Sequence, residues 1–317
     1  MINKILFLGS KTIGLKVLKL IHEVSPGLLK AALTMDDRLD SRTEFTAIQE
    51  FCQQVGIPLH IPTGRKQAEE FVAAERPDIC FVAGWYWLFS EAMLKLPEAG
   101  FVGIHHSLLP RYRGGAPVVW ALINGEPIVG SSIFQFTPGM DDGPIWGQVR
   151  VPVGHDEAIG EVLPKLEQAM LDGLRKLLPE MLEGRITPSE QDHSLATYCS
   201  QRSPDDGWID WNWTAERVHH FVRAQSRPYP GAFTWMDGKK LTILRARVFP
   251  GVYDGPPGQV VRIRPQEVIV TCGDRGAVVV ELVEHEGAEV RVTEAIQSIR
   301  CKFASYARPA LMQVGRD

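Results

Sequence analysis

The sequence predicts an α/β chain in two parts: a doubly wound, mostly parallel sheet, then a smaller β-rich domain. Three observations predict it. Short apolar runs alternate with helical patterns through the first half. Ile79–Gly84 is a continuous apolar run, as suits a strand covered on both faces. Beyond residue 205, strand-like runs broken by Gly, Pro and Asp turns replace the helices.

Lys4–Gly9 reads as the first strand. Its apolar run is too short for a signal peptide, and Lys11 and Lys16 follow at once. Thr12–His22 carries Ile13, Val17, Leu18 and Ile21 at helical spacing. Ala31–Met35 is a second strand, Glu44–Val55 a helix, Ile57–Leu59 a brief extended piece and Gln67–Ala74 another helix. Phe101–His105 and Ser131–Phe136 read as further strands. Residues 156–184 hold the longest helical pattern, with Pro164 and Pro179 as points that kink or bound it. The polar stretch Gly184–Asp206 reads as a linker. After a helix at Thr214–Ala224, the runs Leu241–Val248, Gln259–Arg264, Glu267–Cys272 and Ala277–Val283 suggest a small barrel. The domain boundaries follow: 1–190, a linker at 191–204, and 205–317.

Composition narrows the function. The chain has 317 residues and a formal net charge of −4, divided as −5 over residues 1–204 and +1 over 205–317. Neither part carries the basic excess typical of a nucleic-acid binder. No apolar run is long enough to span a membrane, so a cytoplasmic location is the default. The five cysteines are scattered and form no CxxC pair, which disfavours a disulfide framework or a Cys-based zinc site.

Two motifs mislead. Gly9-Ser10-Lys11-Thr12 ends like a phosphate-binding P-loop, but that loop needs Gly where Ser10 stands. Ser10 and Lys11 still begin a helix, where an anion can bind; a solvated turn is the alternative. His219-His220 lies on one helix with side chains about 100° apart, a poor metal pair.

The chemistry concentrates in Gly103–Pro117, where a strand runs into a loop bearing His105, His106, Arg111 and Arg113. A second loop, Phe136–Gly143, carries Asp141 and Asp142. If the strands before these loops are parallel neighbours, an imidazole and a carboxylate converge as a general-base assembly. A structural ion pair is the alternative.

These segments resemble the 10-formyltetrahydrofolate-dependent formyltransferase superfamily. The resemblance rests on His105, Ser107-Leu108-Leu109-Pro110, Arg113-Gly114 and Gly139-Met140-Asp141-Asp142-Gly143, with Asp141 placed 36 positions after His105. Arg202–Asp206, Ile209-Asp210-Trp211, Arg223-Ala224 and Pro228–Phe233 extend it across the second domain. It implies a Rossmann-like catalytic domain followed by an OB-like β-barrel, a 10-formyltetrahydrofolate cosubstrate and no metal. It also implies that His105 stabilises the oxyanion or relays a proton while Asp141 holds it, and that Tyr86, Trp87, Leu88, Phe89, Pro138 and Gly139 hold the folate. One departure stands out: the family's Asn two residues before the His is Gly103 here, and loss of an oxyanion donor typically costs ~100–1000-fold in rate.

The acceptor amine divides the family. Met35–Arg42, where tRNA-specific members carry a basic insertion, is short and mixed in charge, which disfavours tRNA. A nucleotide-linked amino sugar, of the kind used in lipopolysaccharide synthesis, fits better. Ser10, Lys11, Arg111 and Arg113 are the candidate substrate contacts, since guanidinium forks suit phosphate oxygens. A formyltetrahydrofolate hydrolase is the reading that Gly103 favours. Members of the family often form homodimers, and nothing in this sequence marks an interface.

Overall fold

The computed structural model describes residues 2–40 and 42–304. In chain order the elements are β1 (Ile5–Gly9), α1 (Lys11–Val24), β2 (Leu29–Leu33), α2 (Phe45–Val55), β3 (Leu59–His60), α3 (Arg65–Glu75), β4 (Ile79–Ala83), α4 (Glu91–Leu94), β5 (Phe101–His105), β6 (Arg113–Gly114), α5 (Pro117–Ile123), β7 (Ile128–Gln135), β8 (Ile145–Pro152), α6 (Ile159–Leu182), β9 (Tyr198–Cys199), α7 (Ala215–Gln225), β10 (Ala232–Met236), β11 (Lys239–Val248), β12 (Val260–Arg264), β13 (Glu267–Thr271), β14 (Ala277–His285), β15 (Ala288–Arg291) and α8 (Val292–Ala295). The chain divides into two compact units. Among the described residues the first comprises 2–40, 42–114, 128–151 and 165–199; the second comprises 115–127, 152–164 and 200–304.

The first unit is built on a seven-stranded sheet in the order β3-β2-β1-β4-β5-β7-β8. Strands β1, β2, β3, β4 and β5 pair in parallel. β1 and β4 are buried along their whole length, which explains why they read as unbroken apolar runs. One face packs Ile5, Phe7, Ile79 and Phe81 against Val17, Leu18 and Ile21 of α1 and Met170 and Leu174 of α6. The other packs Leu6, Leu8, Cys80 and Phe101 against Ala68 and Val72 of α3. Pro164 and Pro179 both lie inside α6, which continues through them.

β7 departs from the expected arrangement. It pairs with β5 antiparallel, with Gly103 opposite Phe134 and His105 opposite Ser132. The loop after β7 therefore begins at the opposite end of β5 from His105. It returns along the sheet because Asp141 and Gly143 are held there, as described below.

The polar stretch read as a linker is knitted into the first unit as far as residue 199. Ser189 bridges Ile145, Gln191 is buried, and β9 pairs with β6. Residues 115–127 belong to the second unit, where α5 packs against α7.

The second unit carries a six-stranded sheet, β10-β11-β14-β13-β12 with β15 added on β14. The ladders among these strands are antiparallel. Among the described residues the sheet does not close into the implied OB-like barrel, because β10 and β12 do not pair. The 302–304 segment instead bridges both, Ala304 to Trp235 and Lys302 to Gln259. α7 is capped by Thr214, whose hydroxyl accepts from Arg217 N at 3.2 Å. No described helix is long and apolar enough to cross a membrane.

Candidate active site

β5 ends on His105, which is 9% exposed. Its Nε2 lies 2.7 Å from the Tyr112 carbonyl, which can only accept, so Nε2 carries a proton. In the neutral ring the proton-free nitrogen is then Nδ1, which faces Asp141 Oδ2 at 3.6 Å. The same Asp141 oxygen accepts from Gly114 N at 2.7 Å. Asp141 sits in the left-handed region at φ 49°, a conformation that Asp tolerates better than most residues.

Gln191 fixes the returning loop. Its Nε2 donates to the carbonyls of Asp141 at 2.8 Å and Gly143 at 2.7 Å, while its Oε1 accepts from Arg113 Nη2 at 2.6 Å. Sequence reading missed Gln191, because a lone amide in a polar stretch carries no signal of burial. The same bonds correct the expectation for Arg113. That residue is 2% exposed, and its guanidinium also reaches Tyr198 Oη and His193 Nδ1. It is a buried brace for the loop and does not reach the cavity described next.

A cavity of about 670 Å³ opens beside this pair. It is lined by Trp85, Tyr86, Trp87, Leu88 and Phe89 after β4, by Phe134 and Phe136, and by Thr137, Pro138, Gly139, Met140 and Asp141 of the loop. All six residues expected at a folate site are in its wall. That volume lies in the usual range for a small-molecule site of ~300–1,000 Å³. The indole Nε1 of Trp85, one of the wall residues, is buried without a partner.

His106 also lines the cavity, with Nδ1 2.7 Å from Ser131 Oγ. Burial, and secondarily the charge of His105, pulls its pKa down to about 4, so the ring is neutral at pH 7. At Gly103 a side chain is physically blocked. A Cβ there would sit 2.2 Å from the Phe136 ring, which occupies the space an Asn would need.

Ser10 and Lys11 meet carboxylates of the chain itself. Ser10 Oγ donates to Asp37, so the anion next to the start of α1 is internal. Lys11 Nζ lies 4.0 Å above the Tyr86 ring and 4.0 Å from Asp40 Oδ2. Burial and then the Arg42 charge lower its pKa. Tyr86 donates to Asp40 at 2.8 Å, and its pKa is raised to about 12 by burial first and that bond second. In the same turn Arg38 pairs with Asp36 and Arg42 with Asp40. Arg111 is exposed, 5.3 Å from the Tyr112 ring.

A ring-lined cavity beside an imidazole–carboxylate pair, at the carboxyl edge of a parallel sheet, has the layout of a ligand site in a doubly wound α/β protein. Comparison with known proteins sharpens this. The formyl transferase model matches residues 62–181, and that of the formyl transferase C-terminal domain matches residues 202–300. A methionyl-tRNA formyltransferase of Sorangium cellulosum is 34% identical over 238 residues, covering 74% of this chain and 76% of that protein. Another, from Caldanaerobacter subterraneus, is 30% identical over 297 residues, covering 92% and 95%. A Helicobacter canadensis N-formyltransferase solved with folinic acid and dTDP-3-aminofucose superposes with a TM-score of 0.67 at 15% identity, over 89% of this chain and 99% of its own. The chain belongs to the formyl transferase family, and it is an enzyme of formyl transfer.

Proposed function

We propose that the protein moves a formyl group from 10-formyltetrahydrofolate to the amine of a nucleotide-linked amino sugar. The observation that carries this reading is the ring-lined cavity that ends on Asp141, with His105 Nδ1 facing the same carboxylate. The folate supplies the formyl group. Trp85 to Phe89 with Pro138 and Gly139 would hold its flat ring. The acceptor amine adds to the formyl carbon, His105 Nδ1 takes the proton that this amine loses while Asp141 stabilises the imidazolium, and the proton passes to N10 as the C–N10 bond breaks, releasing tetrahydrofolate and the formamide. Tyr112 holds the other ring nitrogen and so fixes the tautomer.

The acceptor reading rests on charge. Arg38 and Arg42 are matched by Asp36 and Asp40 in the turn after β2, a surface poorly suited to a polyphosphate backbone. Lys11 and Arg111 are the proposed diphosphate contacts. The structural likeness to an amino-sugar enzyme agrees with this but at 15% identity speaks to the fold alone. The names of the relatives favour methionyl-tRNA, and the blocked Gly103 favours hydrolysis. A tetrahydrofolate-release assay with UDP-, dTDP-, GDP- and CMP-linked amino sugars separates the three. Release that depends on one amino sugar is expected. Release without any amine would make the protein a hydrolase, and formylation of methionyl-tRNA alone would move the acceptor to tRNA.

A further inference from the structure

The second unit holds a cluster of side chains that formyl transfer does not use. His155 Nε2 lies 3.3 Å from Glu216 Oε2, and His220 Nε2 lies 3.7 Å from the same oxygen. All three atoms fall within 4.8 Å of one another. We infer that His155, Glu216 and His220 bind one Zn²⁺ ion, with solvent completing a tetrahedral shell.

The separations suit it. With metal–ligand bonds of ~2.0–2.1 Å, a tetrahedral zinc site has ligand atoms ~3.4 Å apart. Two imidazoles and one carboxylate are a donor set that zinc takes, whereas Mg²⁺ and Ca²⁺ prefer oxygen alone. Glu216 and His220 stand four residues apart on α7, so one helix face presents both. The adjacent His219 does not join them. Its ring nitrogens lie on the carbonyls of Ala246 at 2.9 Å and His155 at 3.1 Å.

The third ligand is held in place before any ion arrives. His155 Nδ1 is 2.9 Å from Asp156 Oδ1. A carboxylate behind one imidazole nitrogen, with the other left for metal, is a recurring outer-shell arrangement of zinc sites. The His155 ring stacks on His219 at 5.1 Å and 16°. Arg223 Nη1 donates to the carbonyls of Gly154 and Glu157, fastening the turn that carries His155 onto α7. His220 packs against Gly125, where a Cβ would lie 2.6 Å from the ring. Little ordering entropy remains to be lost on binding.

The test uses the full chain after chelator treatment and dialysis. Elemental analysis after equilibrium dialysis against Zn²⁺ should give one ion per chain, and Co²⁺ should develop the visible band of a tetrahedral site. His155→Ala and Glu216→Gln, both at exposed positions, should each weaken Zn²⁺ binding at least about tenfold and abolish the Co²⁺ band. Asp141→Asn should leave both unchanged. No retained Zn²⁺, or retention that neither variant reduces, would overturn the site and leave an ion-pair cluster.

Discussion

The chain carries two His-His dipeptides, and comparing them shows how secondary structure sorts neighbours in sequence into different jobs. His105 and His106 stand at the end of a strand, where successive side chains leave on opposite faces. His105 meets Asp141 and the Tyr112 carbonyl, while His106 meets Ser131 and the cavity. His219 and His220 stand on a helix, turned about 100° apart. His219 is buried on two carbonyls, and His220 faces Glu216. In each pair the two rings take different partners. Each useful ring finds partners elsewhere in the chain: Asp141 from a returning loop, His155 from the turn before α6.

The comparison can be broken at its strongest point. Asp141→Asn should lower turnover by ~10²–10⁴-fold, the usual range for general acid–base catalysis. The amide oxygen can still accept from Gly114 N, so far-UV and near-UV circular dichroism should be unchanged. Zinc retention at His155, Glu216 and His220 should be unaffected, which separates the two sites.

Gln191→Ala acts one step further out. It strips the donors from two carbonyls and the acceptor from the buried Arg113 guanidinium. A loss of ~2–4 kcal/mol in urea unfolding is expected. Because the loop also positions Asp141, kcat should fall with stability. Equal loss of stability with unchanged kcat would show that the loop holds itself.

Gly103→Asn tests the space beside the strand pair. Restoring the family's side chain should cost ~1–3 kcal/mol by overpacking against Phe136 and should not raise the rate. In a Phe136→Ala background the same substitution should cost much less, a coupling that a double-mutant cycle measures.

Acid provides the smallest lever. The folded pKa of His106, about 4, lies below the ordinary value of 6.5. Below pH 6.5 the unfolded chain binds the proton that the folded chain refuses, so stability falls as pH drops from 6.5 toward 4. His106 should account for about 2 kcal/mol of loss between pH 7 and 5. Urea titrations of His106→Ala should show a correspondingly flatter pH dependence, and an unchanged slope would remove His106 as its source.

A strand running into a polar loop marked His105 and Asp141 as candidates with a structural ion pair as the alternative, whereas the folate wall was expected only from the family resemblance. The direction of β7 was not legible. Parallel and antiparallel neighbours share the same apolar run, and the loop's return depends on Gln191, a residue without a motif. Arg113 was misread for the same reason, since a guanidinium in a Gly-rich loop looks solvent-facing until its buried acceptor is known. The units were legible as two, but not the capture of residues 115–127 by the second, because α5 carries the same apolar pattern whichever partner it packs against. Most of the helices and β11, β12, β13 and β14 were legible from periodicity, whereas β10, which follows a Pro- and Gly-rich turn, and the four-residue β15 did not stand out.

The most direct measurement follows the formyl group itself. Wild-type protein is given 10-formyltetrahydrofolate labelled in the formyl carbon, together with the pooled nucleotide-linked amino sugars and methionyl-tRNA at equal concentration. Label carried predominantly into one sugar nucleotide as an acid-stable formamide is the expected result. Label in methionyl-tRNA with every sugar unlabelled, or label released only as formate, would contradict it.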